Sequence, residues 1–156
     1  MMAMAYGNVY VAKVAIGAKD AQTVKAFAEA ESYPGTSIIL AYSHCIAHGF
    51  DLINGPAQQK GAVESGHWPL FRWDPRRLAE GQIPLVMDSA PPTMKIADYA
   101  RNETRYRMVE RANPERFANL MAQAQRETTN RFSVYQQLAA MHLPEGAKAG
   151  EPDPEA

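Results

Sequence analysis

The stretch from Ser37 to Gly49, S-I-I-L-A-Y-S-H-C-I-A-H-G, constrains this chain more than any other. It opens with a short apolar run, Ile38-Ile39-Leu40-Ala41-Tyr42, set between Pro34-Gly35 and Ser43. A run of that length between turn signals suits a strand buried on both faces of a parallel sheet. Directly beyond it stand His44, the chain's single cysteine Cys45, His48 and Gly49. Open α/β sheets place their ligands in the crevice beyond the carboxyl ends of the strands. The one soft, redox-capable side chain therefore falls where such folds do their chemistry.

The segments on either side support an α/β fold class. Val9 to Ile16 (V-Y-V-A-K-V-A-I) fits a strand by its β-branched residues and a buried helix by Ala12 and Ala15. Asp20 can cap a helix over Ala21 to Tyr33, with Val24, Phe27, Ala28 and Glu31 at helical spacing, and Pro34-Gly35 stops it. Strand, helix, strand is the α/β alternation. Ahead of it, Met1 to Ala5 is strand-like and Tyr6-Gly7-Asn8 forms a turn. After Gly49 the chain predicts a loop through Asn54-Gly55-Pro56, a short helix over Ala57 to Glu64, and an extended aromatic segment, Trp68 to Trp73. Arg76 to Pro84 reads as a loop or hairpin connection, and Leu85 to Asp88 as one more short strand ended by Ala90-Pro91-Pro92.

The last third changes character. Ile96, Tyr99, Tyr106 and Val109 share one helical face between Lys95 and Arg111. Asn113-Pro114-Glu115 is a helix start: a capping side chain, proline at the first position, an acid in the first turn. From there Phe117, Leu120, Met121, Ala124, Thr128, Phe132, Tyr135 and Leu138 form one stripe on a long helix to about Met141. From Pro144 the composition is that of a disordered tail. The expected organisation is an α/β part over residues 1–92, a C-terminal helical pair over 93–143, and a tail over 144–156.

Charge and length narrow the function classes. With 156 residues, 46% of them hydrophobic, one domain with one core is the simplest organisation. Sixteen basic residues against seventeen acidic ones make no bulk electrostatic case for nucleic acid or an anionic membrane surface. Half of the basic residues lie between Lys95 and Arg131, interleaved with Asp98, Glu103, Glu110, Glu115 and Glu127, as in solvated amphipathic helices. No apolar run is long enough to span a bilayer, and one cysteine permits no internal disulfide, so a reducing cytoplasm is expected.

The residues around Cys45 allow several chemistries. His44, Cys45 and His48 give H-C-x-x-H, half of a zinc site, but His67 and His142 supply no second closely spaced pair. A nucleophilic Cys–His pair is a second reading. A small buried hydrophobe following a strand is a third. A metal bond completed by cysteines outside this chain is the fourth. Trp68, Phe71 and Trp73 with Arg72, Arg76 and Arg77 could mimic a nucleic-acid surface, but aromatics packed on the body with arginines at the rim fit the balanced charge better.

Six stretches carry a resemblance: Y-G-N-V-Y-V-A (Tyr6 to Ala12), A-E-S-Y-P-G (Ala30 to Gly35), A-Y-S-H-C-I-A-H-G (Ala41 to Gly49), Q-Q-K-G-A-V-E-S-G (Gln58 to Gly66), W-P-L-F-R-W-D-P (Trp68 to Pro75) and N-E-T-R-Y-R-M (Asn102 to Met108). In order and spacing, from Met1 to about Met141, the chain resembles the carboxyl-terminal end of pyruvate:ferredoxin (flavodoxin) oxidoreductases. The resemblance implies the second half of a thiamine-diphosphate-binding α/β domain with parallel strands. It implies oxidative decarboxylation of pyruvate with coenzyme A to acetyl-coenzyme A and carbon dioxide in a homodimeric enzyme. Thiamine diphosphate with magnesium would do the carbon chemistry, and iron–sulfur clusters would pass electrons to ferredoxin or flavodoxin. By resemblance, Cys45 is one ligand of a 4Fe–4S cluster; Tyr6, Gly7 and Asn8, from their place beside a strand end, are expected to line the thiamine cleft. His44 and His48 receive no ligand role. The family's upstream magnesium–diphosphate motif and its other cluster cysteines fall outside the region resembled. The chain is therefore expected to be a fragment that is inactive and poorly folded without the missing upstream domains. The alternatives are a catalytically inactive module, and a small zinc protein using His44, Cys45 and His48.

Overall fold

The computed structural model describes residues 1–142, so the tail expected from Pro144 lies outside them. Strand β1 (Val9–Val14) settles the ambiguous first segment as extended chain. Its side chains alternate with the period of two that defines a strand. Tyr10, Ala12 and Val14 pack with Ala26 on one face, and Val11 joins Met4, Phe71, Leu85 and Tyr135 on the other. Helix α1 (Asp20–Ser32) begins one residue earlier than expected: Lys19 is the capping position, and the Asp20 carboxylate accepts the Ala21 N–H at 2.7 Å. Strand β2 (Thr36–Ala41) follows and pairs in parallel with β1, Val9 opposite Thr36 through Val14 opposite Ala41. Helix α2 (Gly55–Glu64), β3 (Phe71–Trp73) and β4 (Leu85–Met87) complete the first part.

The sheet order is β2-β1-β3-β4, with β3 antiparallel to β1 and β4 antiparallel to β3. The sheet is thus mixed where parallel strands were expected. Two short strands joined by the Arg76–Pro84 connection can return antiparallel, whereas a parallel return requires a longer crossover. A second correction concerns β2. It is an edge strand rather than a buried central one, with Ile38 39% and Leu40 45% exposed, because β3 occupies the other side of β1. The face of α1 differs too. Gln22, Thr23 and Ala26 are buried, while Val24 and Phe27 of the expected apolar stripe point outward. At the amino terminus, Ala3–Tyr6 is a turn of 3₁₀ helix rather than a strand, and it tucks Met4 into the core.

The C-terminal third holds three helices instead of two. The expected Lys95–Arg111 helix is split into α3 (Ile96–Ala100) and α4 (Thr104–Ala112), and only its first half is buried, through Ile96 and Tyr99. Helix α5 (Pro114–Ala139) starts as expected, with the Asn113 side chain accepting the Arg116 N–H at 2.8 Å and Pro114 in the first turn. It lays Tyr135 against Phe71 with ring centroids 5.0 Å apart and buries Phe117, Thr128 and Phe132. Between Phe117 and Thr128 the stripe is less covered, and Leu120 is exposed. Among the described residues no helix is long and apolar enough to cross a membrane.

One polar group is built into the sheet itself. Arg72 on β3 is buried rather than placed at the rim. Its Nε and Nη2 donate to both Asp88 oxygens at 2.8 and 2.9 Å, and its Nη1 donates to Glu29. Tyr10 donates to the second Glu29 oxygen at 3.0 Å, and Gln22 to Asp88 at 2.9 Å. Arg76 behaves as expected of a rim arginine, stacking over Tyr33 and pairing with Asp74.

Candidate functional site

The candidate site begins where the parallel pair ends. The Tyr42 N–H donates to the Val14 carbonyl at 2.9 Å, continuing the β1–β2 ladder by one residue. Its ring stands edge-on to Trp68 at 5.4 Å, and its hydroxyl lies 2.7 Å from that of Tyr99. Trp68 in turn donates its indole N–H to the same Val14 carbonyl at 3.0 Å. The Lys13 ammonium sits 3.9 Å above the Trp68 ring. Burial, and secondarily the charge of Arg131, lower the Lys13 pKa to about 8. The same burial and the same two cations depress His67, which stacks on Tyr99. The floor beneath the strand ends is therefore aromatic and cationic.

Beyond Tyr42 the chain stays extended to Cys45, then turns through one 3₁₀ turn, Ile46–His48, to Gly49 in the left-handed region at φ 75°. Only glycine adopts that conformation without strain. Cys45 is exposed and carries a free thiol. The two flanking histidines leave it in different directions. His44 lies against Phe50, its Nδ1 3.3 Å from the Gln59 amide nitrogen, and Gln59 also accepts the Gly17 N–H at 2.7 Å. His48 turns inward toward Glu103, Nδ1 to Oε2 3.7 Å. Among the described residues no group of three His, Cys, Asp or Glu side chains is placed to hold a metal ion. The H-C-x-x-H zinc reading thus finds no geometry, because both rings are turned to other partners. An exposed thiol at a strand end can still give one bond to a metal centre whose other ligands come from elsewhere. A 4Fe–4S cluster needs about four thiolates, and this chain has one.

Tyr6, Gly7 and Asn8 are placed at the other end of the parallel pair. They precede β1 at its amino end, with Tyr6 exposed and the Asn8 carbonyl accepting the Tyr33 hydroxyl at 2.8 Å. A six-residue strand separates the two ends by roughly 17–20 Å. The structure does not bring these three residues together with Cys45.

A residue that charge patterning assigned to a solvated surface belongs to this site. Glu103, at the break between α3 and α4, has a fully buried carboxylate. Gln58 donates to Oε1 at 2.8 Å and Arg105 to Oε2. The next residue, Thr104, donates both its N–H, at 3.0 Å, and its hydroxyl to the Gly49 carbonyl. The available signal was Asn102-Glu103-Thr104, whose Asn and Thr favour caps over helix interiors.

Comparison with known proteins finds relatives over most of this chain. No family model matches the chain. A pyruvate-flavodoxin oxidoreductase of Rhodospirillum rubrum is 48% identical over 151 residues, which is 96% of this chain and 13% of that protein. The chain is homologous to one stretch of the pyruvate-flavodoxin oxidoreductases. A protein of the same name from Trichormus variabilis is 48% identical over 146 residues, and the pyruvate:ferredoxin oxidoreductase of Moorella thermoacetica is 42% identical over 139. Each alignment covers about nine-tenths of this chain and 12% of the relative. The chain thus spans about an eighth of the length of the oxidoreductases it matches.

Proposed function

We propose that this chain works as part of a pyruvate oxidoreductase and that Cys45 supplies one thiolate to a 4Fe–4S cluster held mainly by residues outside it. The observation that carries the proposal is the free, exposed thiol of Cys45 at the carboxyl end of β2. That is the end of a parallel pair at which α/β folds gather ligands. The names of the relatives support the reaction: oxidation of pyruvate with electrons leaving to flavodoxin or ferredoxin. The cluster, when bound, would accept and pass on single electrons. Coenzyme A as acyl acceptor, and thiamine diphosphate with magnesium for the decarboxylation, belong to the same proposal. Residues 1–92 then form part of the thiamine-binding domain, and helices α3 to α5 pack on it. Tyr6, Gly7 and Asn8 are proposed for its cleft independently of Cys45, with Tyr6→Ala raising the thiamine diphosphate requirement as the test.

The surface of β2 supports a role within a larger polypeptide. Parallel strands are ordinarily covered on both faces. Here Ile38 and Leu40 are open on the strand face turned away from α1, and Ile46 is open on the loop that follows. Exposed apolar surface of that kind marks an interaction face.

The test is Cys45→Ser in the native-length polypeptide, purified without oxygen. Iron should fall by about four per chain with loss of one cluster's electron paramagnetic resonance (EPR) signal. Unchanged iron and an unchanged spectrum would remove the assignment. The 156-residue chain alone is expected to give no pyruvate-dependent dye reduction.

A further inference from the structure

We infer that the buried Glu103 carboxylate, with its neighbour Thr104, is the positioning latch of the loop that presents Cys45. The latch itself stands on geometry alone, and its consequence for a cluster rests on the assignment of Cys45. A carboxylate with no solvent contact is costly unless its oxygens are satisfied. Both Glu103 oxygens are engaged, one by Gln58 on α2 and one by Arg105 on α4. The third group aimed at it is His48, whose Nδ1 is buried and has no hydrogen-bond partner of its own. The Glu103 side chain thus draws together α2, the α3–α4 break and the loop after β2.

Thr104 completes the hold. Its N–H and hydroxyl both donate to the Gly49 carbonyl, and Arg107 donates to the same hydroxyl at 2.8 Å. The approach is close enough that a Cβ on residue 49 would lie 2.6 Å from the Thr104 Cβ. The loop is fastened at Gly49, with His48 packed against the Glu103 carboxylate without a hydrogen bond, while Cys45, Ile46 and Ala47 are exposed. The fastening reaches Cys45 through one bond, the His48 N–H donating to the Cys45 carbonyl at 3.0 Å. Holding Gly49 thus constrains its neighbour His48 and, through that bond, the peptide that carries the thiol. Ligand geometry tolerates displacements of only about 0.5 Å, and groups behind the ligands set both orientation and electronic tuning.

The experiment uses the native-length polypeptide with Glu103→Gln, Thr104→Val and, as a remote destabilising control, Arg72→Lys. Hydrogen exchange of peptide 42–49 is read in the cluster-free protein, and the EPR spectrum of the reduced clusters in the loaded one. Thr104→Val should speed exchange of 42–49 roughly tenfold, the loss expected for one buried hydrogen bond, and Glu103→Gln, which loosens the Gln58 and Arg105 contacts that seat Thr104, should speed it by a smaller factor. β1 should be unaffected, and the spectrum of one cluster should change at equal iron content. Arg72→Lys should leave the loop and the spectrum as they were. Unchanged loop exchange in both variants overturns the inference, as does equal acceleration in the control. Faster exchange with an unaltered cluster spectrum reduces Glu103 to a structural residue and overturns it too. If Glu103→Gln does not fold, Thr104→Val is judged alone by the same criteria. Should Cys45→Ser leave every cluster intact, the ligand assignment fails while loop exchange still decides the latch.

Discussion

Replacing Arg72 by methionine separates a buried ion group from ordinary core packing. The side chain is 11% exposed and donates three hydrogen bonds to two carboxylates, bidentate to Asp88 and single to Glu29. Methionine fills comparable space but leaves both acids without their cation. Breaking a buried pair from one side costs roughly 3–5 kcal/mol. Asp88 is only 10% exposed and bears that cost in full, whereas Glu29 is 24% exposed and can recover water. The lower end, about 3 kcal/mol, is therefore expected. With a urea dependence of about 2 kcal/mol per M, the unfolding midpoint should fall by about 1.5 M. Trp73 on β3, beside Arg72, reports the transition by fluorescence. Arg72→Lys should recover less than half of the loss, because one ammonium cannot reproduce the bidentate fork. A midpoint within about 0.3 M of the parent for Arg72→Met would refute the reasoning, since it would mean that the acids are solvated without their partner.

Three further outcomes are expected. Gly49→Ala should destabilise more than Gly7→Ala: both glycines have φ near the left-handed value, costing about 1–2 kcal/mol with a side chain, but only residue 49 also meets Thr104 at 2.6 Å. Matched urea titrations of the two variants measure the difference. Lys13 has its pKa lowered from 10.5 to about 8, so between those values the unfolded chain binds more protons and stability rises with pH. The rise should run from about pH 8 to pH 10, above which the raised pKa values of buried Tyr10 and Tyr99 oppose it. Lys13→Met should flatten the rise and be more stable than the parent at pH 7, as read from unfolding midpoints across pH. Asn113→Ala should cost about 1 kcal/mol by removing the cap on α5, and Asn113→Asp should retain most of it in the same assay.

Local chemistry was legible along much of the chain. Asn113-Pro114 announced α5 because the cap and the proline act within one turn. Pro34 closed α1, and Cys45 was placed just past a strand end, because turn residues and strand length are local properties. The apolar run of β2 was read correctly as a strand and wrongly as a central one. Its composition records the burial a strand is suited to, while its position in the sheet depends on β3 pairing with β1. The same limit hid Glu103. Charge spacing places an acid on a helix face, but only the break between α3 and α4 turns this one inward to Gln58, Arg105 and His48.

What the amino-acid sequence determined by itself was most of the helices and strands, the α/β class, the kinship with pyruvate-flavodoxin oxidoreductases and the one thiol on which a cluster assignment rests. Tertiary structure alone decided the strand order, the burial of Arg72, the opposite placement of Tyr6–Asn8 and Cys45, and the latch on the Cys45 loop. The reason is range. Caps, turns and periodicity act over a few residues, whereas the contact of Thr104 with Gly49 joins positions 55 residues apart. Such a contact forms only where packing has already brought the two segments together.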